Sequence, residues 1–105
     1  MDVQLKKGVL DLCVLSIVSK APSYGYDIYQ NINAVFTISE STIYPILRKM
    51  VTEDYLQTYL EESPEGPPRK YFKITEIGLS RLRYLLDEWR TMNAHVNHII
   101  GGINP

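Results

Sequence analysis

Apolar residues are packed densely at the start of the chain and then thin into spaced stripes. Between Leu5 and Lys20, Val9, Leu10, Leu12, Cys13, Val14, Leu15, Ile17 and Val18 leave almost no polar side. That pattern predicts a helix buried between other elements rather than one lying on the surface. Ala21-Pro22 stops it, because proline lacks an N–H and disfavours helical geometry in the residue before it. Ser23 offers a cap for a second helix, Tyr24 to about Ala34, with Tyr24, Ile28, Ile32 and Val35 on one face. Ser39 is the next cap, and Ile43, Ile46, Leu47 and Met50 follow at helical spacing. This third helix therefore has one inward stripe and an outward face of Ser41, Thr42, Tyr44, Arg48 and Lys49. Pro45, beyond the first turn, predicts a kink.

The period then changes. Tyr55 to Glu61 alternates Leu56, Thr58 and Leu60 against Tyr55, Gln57 and Tyr59, the signature of a strand. Ser63-Pro64-Glu65-Gly66-Pro67-Pro68 is turn chemistry, and Arg69 to Ile74 alternates again as a second strand. Thr75 caps a long last helix, Glu76 to Ile100. Three helices, a hairpin and a further helix predict a mostly α fold with a β-hairpin wing (α+β). The expected organisation is a winged helix-turn-helix over residues 1–75, then a C-terminal dimerisation helix and tail over 76–105.

That last helix carries the strongest periodic signal. Leu82, Leu85, Trp89, Met92, Val96 and Ile99 are spaced alternately three and four apart, which makes a heptad seam. The helix would extend roughly 37 Å at about 1.5 Å per residue. The small head can hardly cover so long a stripe, so a homodimer is expected. Part of the seam is also expected to pack on the first helix of its own chain.

Composition narrows the classes. With 105 residues and 45% apolar side chains, one domain with a packed core is expected. The run Val9 to Val18 is interrupted by Asp11 and Ser16, so no membrane span is expected. Met1-Asp2-Val3-Gln4 lacks the basic start of a signal peptide, and a single cysteine, Cys13, cannot form an internal disulfide. These features together predict a cytoplasmic protein. Net charge is −1, so binding to nucleic acid must come from a local basic face.

Such a face is available. The N-terminal residues of a helix in the major groove reach base edges, while flanking groups hold phosphates. Ser41, Thr42 and Tyr44 occupy that end of the third helix, with Arg48 and Lys49 a turn later. Arg69, Lys70 and Lys73 cluster on the second strand beside the stiff Gly66-Pro67-Pro68 tip. Either set alone reads as ordinary solvated surface; together they favour duplex DNA. A winged helix serving only as a protein-interaction module is the alternative.

Three stretches resemble the PadR family of bacterial transcriptional regulators. They are Tyr24-Gly25-Tyr26-Asp27-Ile28, the run Ser41-Thr42-Ile43-Tyr44-Pro45-Ile46-Leu47-Arg48-Lys49-Met50, and Gly66 to Gly78. The short C-terminal part is similar to the compact, multidrug-responsive members of the LmrR type. The resemblance implies a homodimeric repressor of operator DNA, and it makes Tyr-Pro within the third helix ordinary. Asp54-Tyr55 stands where the family has glycine and a hydrophobic residue, Ser41 where glycine or alanine is common, and Pro67-Pro68 where the tip is basic or glycine-rich.

Trp89 is the only tryptophan and lies midway along the seam. Two indoles facing each other there would make a slot for a planar hydrophobic effector, with Met92 as an adaptable wall. Leu12, Leu15 and Asn93 are further candidate ligand contacts; a packed interface tryptophan with no ligand is the plainer alternative. Enzyme chemistry is not expected. His95 and His98 have no third metal ligand near them in sequence, Cys13 has no local base, and no phosphate loop or nucleophile elbow is present. No catalytic residue, metal or cofactor is therefore predicted.

Overall fold

The computed structural model describes residues 3–102; the readings of Met1-Asp2 as free of a signal and of 103–105 as tail lie outside them. The elements run α1 (Val3–Lys20), β1 (Ser23–Tyr24), α2 (Gly25–Phe36), α3 (Glu40–Thr52), β2 (Leu56–Ser63), β3 (Gly66–Ile74) and α4 (Glu76–Ile100). The fold is the expected winged helix-turn-helix with a long C-terminal helix, but the wing belongs to a three-stranded antiparallel sheet of order β1-β3-β2.

The core sits where α1, α2, α3 and the root of the sheet meet. Leu10, Val14, Leu15 and Val18 of α1 pack with Ile28, Ile32, Ile43, Leu47, Met50, Leu56 and Phe72. Each fully buried aliphatic side chain of this kind contributes roughly 1.5–3 kcal/mol. α1 also packs against α4, as its many-sided apolar character requires.

Several local expectations are corrected. Ser23 does not cap α2: it lies in β1, its hydroxyl donates to the Ala21 carbonyl, and Tyr24 is the residue that precedes the helix. Tyr24 is thus extended rather than helical, because it pairs with Tyr71 of β3. Val35 turns outward, leaving Ile28 and Ile32 as the buried stripe. Ser39 does precede α3, yet its hydroxyl bonds the side chains of Ser41 (2.8 Å) and Thr42 (3.2 Å) instead of a backbone N–H. The turn is confined to Pro64 and Glu65, and Gly66-Pro67-Pro68 belong to β3. Prolines are tolerated there because the ladder is irregular between Glu61 and Ser63 and the other edge of β3 is unpaired beyond Tyr71.

The junction of wing and last helix is tight. The Thr75 hydroxyl accepts from the Gly78 N–H at 2.9 Å and donates to the Asp54 carbonyl at 2.5 Å. Gly78 is held so close that a Cβ there would lie 2.1 Å from the Tyr55 carbonyl oxygen. From this anchor α4 runs away from the head, giving a molecule 55 × 28 × 20 Å.

Candidate nucleic-acid interface

α3 presents its inner stripe, Ile43, Leu47 and Met50, to the core and leaves the opposite face open. Pro45 is exposed on that open side and, lacking an N–H, leaves the Ser41 carbonyl without its usual partner within the helix. No side chain caps the first turn of α3; the Thr42 N–H donates to the Ser39 carbonyl at 3.1 Å, while the N–H groups of Glu40 and Ser41 have no side-chain acceptor among the described residues.

Between α3 and the unpaired edge of β3 runs a cleft of about 670 Å³. Tyr44 and Arg48 line it from α3, Arg69 and Lys70 from the wing, Tyr24 from β1 and Tyr26 from the start of α2; Leu47 and Phe72 form its apolar floor. Gly25 permits this approach, since a Cβ there would stand 3.2 Å from the Phe72 ring and 3.5 Å from that of Tyr44. Burial raises the Tyr44 phenol above its ordinary pKa, and the Glu40 carboxylate and the neighbouring tyrosines add to the shift. Tyr44 is therefore a neutral hydrogen-bonding group at physiological pH.

The structure thus brings four of the sequence-predicted residues, Tyr44, Arg48, Arg69 and Lys70, to one cleft. Ser41 and Thr42 stand at the start of α3 outside it. Lys49 is engaged elsewhere, its ammonium 2.7 Å from the Asp11 carboxylate of α1. Lys73 lies opposite Gln57, in register with the outer row of the sheet. Sequence reasoning missed Tyr24 and Tyr26. Tyr24 reaches the wing only through β1, a pairing with residues far along the chain that leaves no local periodic trace. On the sheet, the rings of Tyr24 and Tyr71 are 6.0 Å apart and those of Tyr71 and Tyr59 are 5.6 Å apart. The Arg69 guanidinium lies 5.0 Å from the Tyr24 ring centre.

A second concavity, about 780 Å³ and mostly apolar, runs between α1, α2 and α4. Of the residues named as ligand contacts, Leu12, Trp89 and Met92 line it, together with Cys13, Ile17, Phe36 and Leu86. Leu15 does not. It is fully buried on the other flank of α1, in the core beside Asp11 and Met50, because the groove takes the stripe Val9, Leu12, Cys13, Ser16 and Ile17. Asn93 is exposed and outside the lining. Burial raises the Cys13 thiol pKa. Along α4, Leu82 and Leu85 pack against the core of their own chain, whereas Trp89, Met92, Val96 and Ile99 are 39%, 52%, 47% and 80% exposed.

Among the described residues, no three His, Cys, Asp or Glu side chains gather as a metal site would need. No described helix is long and apolar enough to cross a membrane.

A helix with an open polar face, a basic wing beside it and a projecting apolar helix define the winged helix-turn-helix class of regulators. Residues 14–84 match the model of the transcriptional regulator PadR-like family, and the chain belongs to that family. A PadR-like transcriptional regulator of Bacillus cereus is 38% identical, with a TM-score of 0.85 over 95% of this chain and 99% of that one. A Streptococcus mutans protein is 41% identical, TM-score 0.85, covering 93% of this chain and 92% of its own. A PadR-like transcription factor of Bacteroides fragilis is 40% identical, TM-score 0.77, over 91% and 94% of the two chains. An uncharacterised protein of Lysinibacillus sphaericus is 29% identical over 101 residues, covering 92% of this chain and 93% of that one.

Proposed function

We propose that this PadR-family regulator is a homodimeric repressor that binds operator DNA through α3 and the wing and is released by a planar hydrophobic molecule. The observation that carries the DNA reading is the cleft, where Arg48 of α3 and Arg69 and Lys70 of β3 converge on one opening. Arg48 and the wing cations would neutralise phosphates, while Ser41, Thr42 and Tyr44, at the N-terminal end of α3, would reach base edges. Residues 1–75 then form the DNA-binding part and 76–105 the pairing part.

Dimerisation is supported by the uncovered apolar stripe of α4 and the apolar groove beside it. Both need a cover in water, and a second copy supplies it to both at once. A two-fold dimer also presents its pair of α3 helices to successive turns of the duplex. The groove walls, Leu12, Trp89 and Met92, suit a flat apolar ligand whose binding alters the set of α4 and hence the spacing of the two heads. A compact dimer seated on a promoter represses by excluding polymerase.

Mobility shifts with the DNA upstream of its own gene test the reading. The expected result is a complex at low salt that weakens steeply as salt rises, and that is lost with Arg48→Ala. No complex at low salt would leave the winged helix as a protein-interaction module.

A further inference from the structure

We infer that Tyr24 is a positioning residue: it holds the Arg69 guanidinium in place for a DNA phosphate. This rests on the proposed DNA contact of Arg69 and adds the group that organises it. β1 is antiparallel to β3, with Tyr24 opposite Tyr71. Arg69, two residues before Tyr71, is on the same face and diagonal to Tyr24, a separation that long side chains span. The chain leaves β1 at Gly25 to enter α2, so the β3 edge at Arg69 has no strand beside it on that side. The guanidinium turns back over the vacant position and lies 5.0 Å from the Tyr24 ring centre, within cation–π range.

Tyr24 is itself held. Its ring meets Tyr71 at 6.0 Å, and Tyr71 stacks on Tyr59 at 5.6 Å with 19° between the planes. Three rings on three strands therefore form one row ending under the cation. On its other side Arg69 faces Glu61 across the β2–β3 ladder, yet no Arg69–Glu61 ion pair forms among the described residues. The guanidinium is thus fixed by an aromatic face rather than neutralised by a carboxylate. Its charge and its N–H donors stay free for a phosphate, and part of the ordering cost of a flexible arginine is met before DNA arrives.

The test is fluorescence anisotropy with a short labelled duplex of mixed sequence, since a phosphate contact needs no operator. Tyr24→Leu should weaken binding about two- to fivefold, and Tyr24→Phe, which keeps the ring face, should bind as the parent does. In an Arg69→Ala background, Tyr24→Leu should cost nothing more. Additive losses in the double variant would overturn the positioning role while leaving the phosphate contact intact. Unchanged binding by Arg69→Ala alone would remove the contact itself, and Tyr24's role with it. Should Tyr24→Leu fail to fold, Arg69→Lys decides: the point-charge ammonium should recover little of the Arg69→Ala loss, and full recovery would overturn the inference.

Discussion

The Lys49 ammonium lies 2.7 Å from the Asp11 carboxylate and so ties α3 to α1. The second oxygen of Asp11 is buried without a hydrogen-bond partner. Lys49 is the only cation set against that carboxylate by an ion pair among the described residues, so its charge is engaged with the head.

Lys49→Met should therefore lower stability by about 1 kcal/mol: solvent screens the half-exposed Lys49 end of the pair, while the Asp11 end is largely buried and would lose its partner. It should weaken DNA binding less than Arg48→Met does. Urea unfolding and anisotropy titrations measure the two effects, and a larger DNA loss for Lys49 would return it to the interface.

Gly78→Ala should be among the most damaging small changes in the chain. The new methyl would press on the Tyr55 backbone carbonyl, which cannot swing aside as a side chain would. About 2–3 kcal/mol of stability should go, read from urea unfolding.

Asp54 has a φ of 63°, in the left-handed region. Glycine has no Cβ to strain there, so Asp54→Gly should stabilise the chain by about 0.5–1 kcal/mol. A rise in Tm measures it; a fall would mean that the Asp54 side chain contributes more than its backbone costs.

Val96→Glu places a charge on the exposed stripe of α4, far from the core of its own chain. It should convert a dimer to monomers in sedimentation velocity while the circular dichroism of the head persists. An unchanged dimer would put the interface elsewhere.

Cys13 titrates above the ordinary thiol range because burial disfavours its thiolate. Alkylation by iodoacetamide should be slow at neutral pH and should quicken only as pH passes that of an exposed thiol. Rapid labelling at neutral pH would contradict the burial.

The order of elements was legible because Ala21-Pro22 breaks the chain before α2, Thr75 caps α4, and the hairpin changes the apolar period from near four to two. Thr75 shows this most plainly: it caps α4 as its position suggested, through the Gly78 N–H. β1 was not legible. Ser23 resembles a cap in isolation, and only β3, far along the chain, makes it part of a sheet. Side-chain direction was partly legible. The heptad positions of α4 separated into a half-buried root and an exposed end, but nothing local told Leu15 from Leu12 on a helix apolar on nearly every side. The engagement of Lys49 was equally hidden, since its partner belongs to another helix.

One residue, Thr75, is all that separates β3 from α4, and its hydroxyl is bound on both sides of the joint. Such a joint cannot act as a universal coupling. Tilting the rod must drag the root of the hairpin with it, so a displacement of a fraction of an ångström beside Trp89 would be delivered to the wing tip as a swing of the whole lever.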